Sequence, residues 1–347
     1  MTRIALILTG GTICSAADAR GERQTNASAA VSCLEDAFLH AHPQENVVFE
    51  RFFPYDTLSE NLTPQHWKIL LKTLMMLDFA LYDGIIIAHG TDTLAMTAGF
   101  LTAALAGISI PVLLVSANAP LTIPAGNGHA NFAAAVSLIS AHLRPSVWAV
   151  YRNSDGVSYL HHGSRLRQCE NFSEDFFSMG MQSVDAALSA TPIKLDEDTS
   201  ISSVLSCTSP NWDVLEKQMV LLIQGYVGLD YSRIPLADIC CIIHGTYHSE
   251  TANALENSPY SLHTLLVRCQ QHGIFLGLAP CSRSSQTYAS GGDLVRAGII
   301  PLGDIPVTFA YGAAICALML GKQGDAIRTF IQKLADDCAS ISFRCCI

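Results

Sequence analysis

The sequence predicts an α/β fold: a larger N-terminal domain with a parallel-rich sheet flanked by helices, plus a smaller C-terminal α/β domain. Three observations carry this expectation. Short apolar runs alternate with helix-length segments rich in Ala and Leu, the rhythm of parallel strands buried on both faces. Half of the 347 residues are hydrophobic and only 14% are charged, which suits a large core and argues against disorder. The chain also exceeds the roughly 250–300 residues at which a single core stops growing. Its rhythm lapses once, in the polar stretch SATPIKLDEDTSISSVLSCTSPNWD. The division expected is therefore 1–187, a linker over 188–216, and 217–347.

The first element is a strand at 4–8. MTRIALILTG runs straight into Gly-Gly-Thr without the longer apolar region and small-residue cleavage site of a signal peptide. Further strands are expected at 47–53, 84–88, 111–115 and 146–150. Thr63-Pro64 reads as an N-cap followed by an N1 proline, opening a helix to about Leu77 with Trp67, Leu70, Leu71 and Leu74 at helical spacing. A second helix starts after Gly90, passes Leu94, Ala98, Leu101 and Leu105, and stops at Gly107. Gly126-Asn127-Gly128 reads as the approach to another helix, and His161 and His162 as loop residues near Arg165 and Arg167. Beyond the polar stretch, MVLLIQGY, ICCIIHG and GIFLGLAP are strand candidates, with helices expected at 259–271, 309–320 and 323–336.

Composition narrows the function. A net charge of −10 argues against a nucleic-acid partner, whose phosphates need clustered cations. Apolar stretches such as GIIIA and PVLLV are about five residues, far short of the roughly 20 of a membrane span. The 12 Cys occur singly or as adjacent pairs with no C-x-x-C, so they read as buried hydrophobes in a reducing cytoplasm rather than a disulfide framework or zinc site. His244 and His248 are spaced i, i+4, but the intervening Gly245 and an expected strand end argue against a shared helical face, and no metal is expected.

In open parallel sheets ligands sit beyond the strand C-termini, and polar residues follow three apolar runs. Thr9-Gly10-Gly11-Thr12 follows the first strand; its glycines allow a sharp turn and expose backbone N–H groups, although an ordinary turn has the same composition and the phosphate-loop lysine is absent. His89-Gly90-Thr91-Asp92-Thr93 joins a strand end to a helix start. N-capping accounts for one of Thr91 and Asp92; alternatively Asp92 holds a substrate ammonium and Thr91 presents a hydroxyl to a carbonyl. Asp56-Thr57-Leu58-Ser59-Glu60-Asn61 lies before the helix at Pro64 and is open to the same two readings.

Together L-T-G-G-T-I (8–13), S-E-N-L-T-P (59–64) and A-H-G-T-D-T-L (88–94) resemble the bacterial-type L-asparaginase family, particularly its cytoplasmic type I branch. P-V-L-L-V-S-A-N-A-P (111–120) extends the likeness, and Y-V-G-L-D (226–230) continues it more weakly. The resemblance implies an asparaginase-like catalytic domain over 1–187 that hydrolyses L-asparagine to L-aspartate and ammonia, without cofactor or metal, in a cytoplasmic homodimer or homotetramer. Thr12 matches the first catalytic threonine and Thr91 the second. Asp92 matches the carboxylate for the substrate α-amino group, Ser59 the hydroxyl for its α-carboxylate, and Glu60 a further group facing the α-amino group. Gly11 and Ala117 match substrate-binding positions, and Tyr247, His248 and Ser249 fall in a region that reaches a neighbouring protomer or an effector.

Two departures stand out. Gln168 occupies the place of the lysine that activates the second threonine, and an amide takes up no proton at neutral pH. Residues 14–29, the expected lid, contain no tyrosine; Glu22 stands roughly where it would fall and is the candidate proton acceptor. A catalytically weak or inactive binder of asparagine or aspartate, and a hydrolase of glutamine or another small amide, are the alternatives.

Overall fold

The computed structural model describes residues 1–17, 23–191, 202–282 and 288–341. The chain divides into two compact units, Met1–Leu205 with the C-terminal stretch from Ile341, and Ser206–Ser340. Within the expected linker, residues 192–201 lie outside the described residues and Asp213–Glu216 form a short helix.

The first unit runs β1 (Thr2–Leu8), β2 (Ser15–Ala17), β3 (Arg23–Thr25), α1 (Ala27–Ala41), β4 (Val47–Phe52), α2 (Pro64–Met75), β5 (Gly84–Ala88) and α3 (Leu94–Ala104). It continues with β6 (Val112–Val115), α4 (Gly128–Ser140), β7 (Val147–Arg152), β8 (Ser158–His162), β9 (Gln182–Ser183) and α5 (Val184–Ser189). Seven strands form one sheet in the order β4-β1-β5-β6-β7-β8-β9. The pairs from β4 to β7 are parallel, and β8 and β9 are added antiparallel. The mostly parallel sheet with flanking helices is the architecture expected from the apolar runs: Ile4–Leu8, Ile85–Ala88 and Val112–Val115 are fully buried, because helices cover both faces.

Helix α2 opens with Thr63 and His66 in a reciprocal capping box and proline in its first turn, which satisfies N–H groups that the helix leaves orphaned. Its apolar stripe of Trp67, Leu70, Leu71 and Leu74 is buried. Trp67 stacks on Phe100 at a centroid distance of 4.6 Å and donates from Nε1 to Thr97 Oγ1 at 2.9 Å, joining α2 to α3. Apolar on nearly every side, α3 is buried along almost its whole length.

His161 and His162 are not loop residues. Both lie on β8, wholly buried, with His162 opposite Trp148 and His161 opposite Ala149. Serines make this burial tolerable: His161 Nδ1 pairs with Ser178 Oγ at 2.9 Å, and His162 pairs through Nδ1 with Ser164 Oγ at 2.7 Å and through Nε2 with Ser146 Oγ at 2.8 Å.

The second unit comprises α6 (Asp213–Glu216), β10 (Val220–Gln224), β11 (Cys241–Gly245), α7 (Leu262–His272), β12 (Phe275–Ala279), α8 (Ala289–Ala297), β13 (Ile300–Pro301), α9 (Val307–Met319) and α10 (Asp325–Ala339). Its four strands form a parallel sheet in chain order. Ile242, Leu262, Leu265, Leu276 and Leu294 belong to one buried cluster in its core. Helix α8 escaped the sequence reading because two adjacent glycines, Gly291 and Gly292, lower its helix propensity.

Strand order also selects the site. In the larger sheet the chain leaves β1 to one side to form β4, then crosses back to form β5 on the other. Connections diverge from the C-terminal ends of β1 and β5, and such a switch point opens a crevice there.

Candidate active site

Three sequence-distant segments meet at this crevice, main chain against main chain. Thr9 donates to Ala88 O from both its N–H, at 3.1 Å, and its hydroxyl, at 2.7 Å. Gly11 N donates to Thr57 O at 2.9 Å and Thr57 N to Thr9 O at 3.2 Å. Gly10 and Gly11 have φ of +98° and +75°, the left-handed region that favours glycine. A Cβ at Gly11 would lie 2.3 Å from Gly90 Cα, and one at Gly90 would lie 2.4 Å from Ser59 Oγ. Thr12 and Thr91 each follow one of these two touching glycines. Thr12 opens a short helical turn, Thr12–Cys14, and is partly exposed.

Ser59 links the second segment to the third. Its hydroxyl donates to Asp92 Oδ2 at 2.8 Å and accepts from Asp92 N at 3.2 Å, while Thr93 Oγ1 donates to Ser59 O at 3.1 Å. Ser59 is buried in the turn Ser59–Asn61; Glu60, next to it, is exposed. The N-cap of α3 is Thr93, whose side chain makes no cap hydrogen bond. Instead Gln168 Oε1 accepts from Ala95 N at 3.2 Å, and Gln168 Nε2 donates to Thr91 O at 2.8 Å. The orphan N–H of the first turn is thus satisfied from outside the helix.

His89 precedes the touching glycine and is wholly buried. Its Nδ1 lies 2.7 Å from Gly90 O; because a carbonyl only accepts, that nitrogen carries the proton. Burial pushes the imidazole down to about 4, so it is neutral. Its Nε2 has no hydrogen-bond partner among the described residues. Below it Ser116 Oγ donates to His89 O, Asn131 Nδ2 to Ser116 O, and Arg152 N to Asn131 Oδ1, at 2.7, 2.9 and 2.7 Å. This buried chain fixes the strand ends around the crevice.

A cavity of about 510 Å³ lies on the α3 side of this contact. Of the residues expected from sequence, Thr91, Asp92 and Gln168 line it; Gly11, Thr12, Ser59, Glu60 and Ala117 do not. Ala117 is buried and its methyl faces Gly128, where an added Cβ would lie 3.0 Å away. Glu22 lies outside the described residues. Asn118, Tyr151, Glu174 and the run 169–173 complete much of the wall and were not anticipated. Asn118 stands three residues past the end of the strand at Val112–Val115 and could have been found by the strand-end rule; Tyr151 and the irregular 169–174 segment carry no such signal. Burial raises the Tyr151 phenol to about 12.

In the second unit His244 is buried, and its Nε2 pairs with Tyr231 Oη at 2.8 Å. Among the described residues no group of three or more His, Cys, Asp or Glu is arranged to hold a metal ion.

Comparison with known proteins bears on this arrangement. The chain is 26% identical over 317 residues to a component of the glutamyl-tRNA(Gln) amidotransferase of Saccharolobus solfataricus, covering 88% of this chain and 68% of that protein. A shorter match of 34% over 125 residues, 35% of this chain and 27% of the relative, links it to the corresponding amidotransferase component of Methanopyrus kandleri. In fold it is similar to the thermostable L-asparaginase from Thermococcus kodakarensis, with a TM-score of 0.74, 18% identity, and coverage of 95% of this chain and 97% of that one. It is likewise similar to L-asparaginase I from Vibrio cholerae, with a TM-score of 0.68, 20% identity, and coverage of 100% and 99%. The family model described as "Asparaginase, N-terminal" matches residues 3–199, more than half of the sequence, and the chain belongs to the asparaginase family.

Proposed function

We propose that this protein is an amidohydrolase that converts L-asparagine to L-aspartate and ammonia. The observation that supports the reading is the Gly11–Gly90 main-chain contact, which brings the residue before Thr12 against the residue before Thr91, with Ser59 hydrogen-bonded to Asp92. In this reading Thr12 is the nucleophile and Thr91 the second catalytic hydroxyl. Asp92 and Glu60 take the substrate ammonium, Ser59 takes the α-carboxylate, and Gly11 and Ala117 contribute main-chain groups. The threonine oxygen attacks the side-chain carbonyl, the C–N bond breaks, and ammonia leaves with the proton. Water then cleaves the acyl-threonine ester and restores the hydroxyl. Rigid placement by the stacked main chains supplies orientation, and bare N–H groups at the glycine turn suit an oxyanion.

Gln168 takes no part as a base, because its amide is already committed to two main-chain groups and does not accept a proton. Glu22 is the proton acceptor in this proposal. The site works in the cytoplasm within a homodimer or homotetramer. Among the described residues no helix is long and apolar enough to cross a membrane. The amidotransferase relatives raise a reading in tRNA amidation, but a net charge of −10 opposes direct contact between this chain and tRNA.

Replacing Thr12 or Thr91 with Ala should each reduce ammonia release from asparagine to background, and full activity in either variant rejects the assignment. The Gln168 geometry favours one second reading, a binder of asparagine with little turnover. Calorimetry with asparagine beside the ammonia assay separates the two, since binding without ammonia identifies the binder. Parallel rates on glutamine fix the substrate preference.

A further inference from the structure

One wall of the cavity beside Thr91 is made by a single short segment, Cys169–Glu174. This segment is firmly tied. Ser173 N donates to Glu170 O at 3.1 Å and the Cys169 thiol to Ser173 O at 2.8 Å, closing a turn. Asn118 Nδ2 donates to Glu174 Oε2 at 2.9 Å, and both residues line the cavity. Asp175 accepts from Ser154 N and Oγ at 2.7 and 2.8 Å, and Phe176 exchanges two hydrogen bonds with Asn153.

At the apex of this fixed turn stands Phe172. Its φ is +63°, in the region that a turn's third residue normally fills with Gly or Asn. For a bulky residue that conformation is an outlier. Its side chain is also fully solvent-exposed, at 111%, so the ring contributes no burial in return. Two independent costs fall on one residue, and that residue lines the same cavity as Thr91 and Asp92. At about 510 Å³ the cavity lies within the range of roughly 300–1,000 Å³ typical of small-molecule sites.

We infer that Phe172 is a specificity-determining wall for a part of the substrate that projects beyond the amino-acid head group. This rests on the amidohydrolase reading of the same site. The substrate class is an asparagine derivative bearing a planar or apolar substituent, which the ring covers while Asp92 and Ser59 hold the head group. Aromatic contact of this kind is large in area and directional. For an N-substituted side-chain amide the C–N bond breaks, water oxygen forms the new C–O bond, one proton of the water passes to the nitrogen of the departing amine, and the other is released as the new carboxyl group ionises.

The test is binding, so it does not depend on turnover. Affinities of L-asparagine and L-aspartate β-anilide are measured calorimetrically for the wild-type protein and for Phe172→Asn, which tolerates the left-handed backbone, and Phe172→Ser. The anilide should bind the wild-type protein more tightly than asparagine does, and both variants should lower the anilide-to-asparagine affinity ratio by about tenfold or more. Equal ratios in all three proteins, or no anilide binding by the wild-type protein, overturn the inference. A change of oligomeric state in the variants also overturns it, because the ring then packs on a second copy. Failure of the amidohydrolase reading has a different signature: neither ammonia nor aniline is released, whatever the affinities.

Discussion

Gln168 bridges two main-chain groups at the start of α3, donating to Thr91 O at 2.8 Å and accepting from Ala95 N at 3.2 Å. It is thus both an external cap for the helix and a clamp on the residue proposed to face the amide. Replacing it with Ala leaves Ala95 N without its acceptor and removes one of the two donors to Thr91 O, so stability of the first unit should fall by about 1–2 kcal/mol and kcat should drop. Replacing it with Lys should separate two effects. Lysine has no acceptor and places a cation at a helix N-terminus, costing about 1 kcal/mol or more, while its neutral form can take a proton near Thr91. Urea midpoints should fall and ammonia release should rise in Gln168→Lys. A fall in both would confine position 168 to positioning.

The Ser59–Asp92 pair is expected to act in ground-state binding. Ser59→Ala removes the donor to Asp92 and the acceptor for Asp92 N. The carboxylate then loses a charge-assisted hydrogen bond, typically about 1.5–3 kcal/mol. We expect KM for asparagine to rise about tenfold or more, with a smaller change in kcat, measured by steady-state ammonia release. An unchanged KM would place Ser59 outside the substrate grip.

Two glycines with similar φ should respond very differently to the same substitution. Gly11 has φ +75° and an added Cβ would overlap Gly90 Cα at 2.3 Å, whereas Gly107 has φ +79° and nothing within 4 Å. Gly107→Ala should cost about 1 kcal/mol, the conformational penalty alone. Gly11→Ala must also push two main chains apart, and activity should fall at least about tenfold while Gly107→Ala stays near wild type. Thermal scans with the ammonia assay check both, and equal behaviour would mean that the Gly11–Gly90 approach is not needed.

Much of this was legible because burial on both faces writes itself as unbroken apolar runs. GIIIA and VLLV are read as strands from composition alone, and each is fully buried. Thr63-Pro64 announces α2 by local chemistry, and the Trp67-Leu70-Leu71-Leu74 stripe is the buried face. The strand SYLHH was illegible because its burial is achieved by tertiary partners, the hydroxyls of Ser146, Ser164 and Ser178. Gln168 could be aligned only to within a few residues, since its contacts lie more than 70 positions away. Phe172 gave no signal at all: nothing local distinguishes a phenylalanine held at positive φ from one packed in a core.

Buried neutral histidines predict how the fold responds to acid. Burial lowers His89 and His244 to about 4 and His161 and His162 to about 3, against about 6.5 in an unfolded chain. Below pH 6.5 the unfolded state therefore binds more protons than the native one. The stability these groups contribute is complete above pH 6.5 and is lost progressively as pH falls toward 4 and then 3, by up to about 1.4 kcal/mol per pH unit for each imidazole. Three of the four lie in the first unit and His244 in the second, so the two units should weaken together but with different slopes, the first more steeply. Replacing His161, which makes one hydrogen bond to Ser178, with Asn should remove one proton from the slope between pH 6.5 and 4. Urea denaturation at half-unit pH steps measures this directly, and a slope unchanged by the substitution would mean that His161 takes up its proton in the native state as readily as in the unfolded chain.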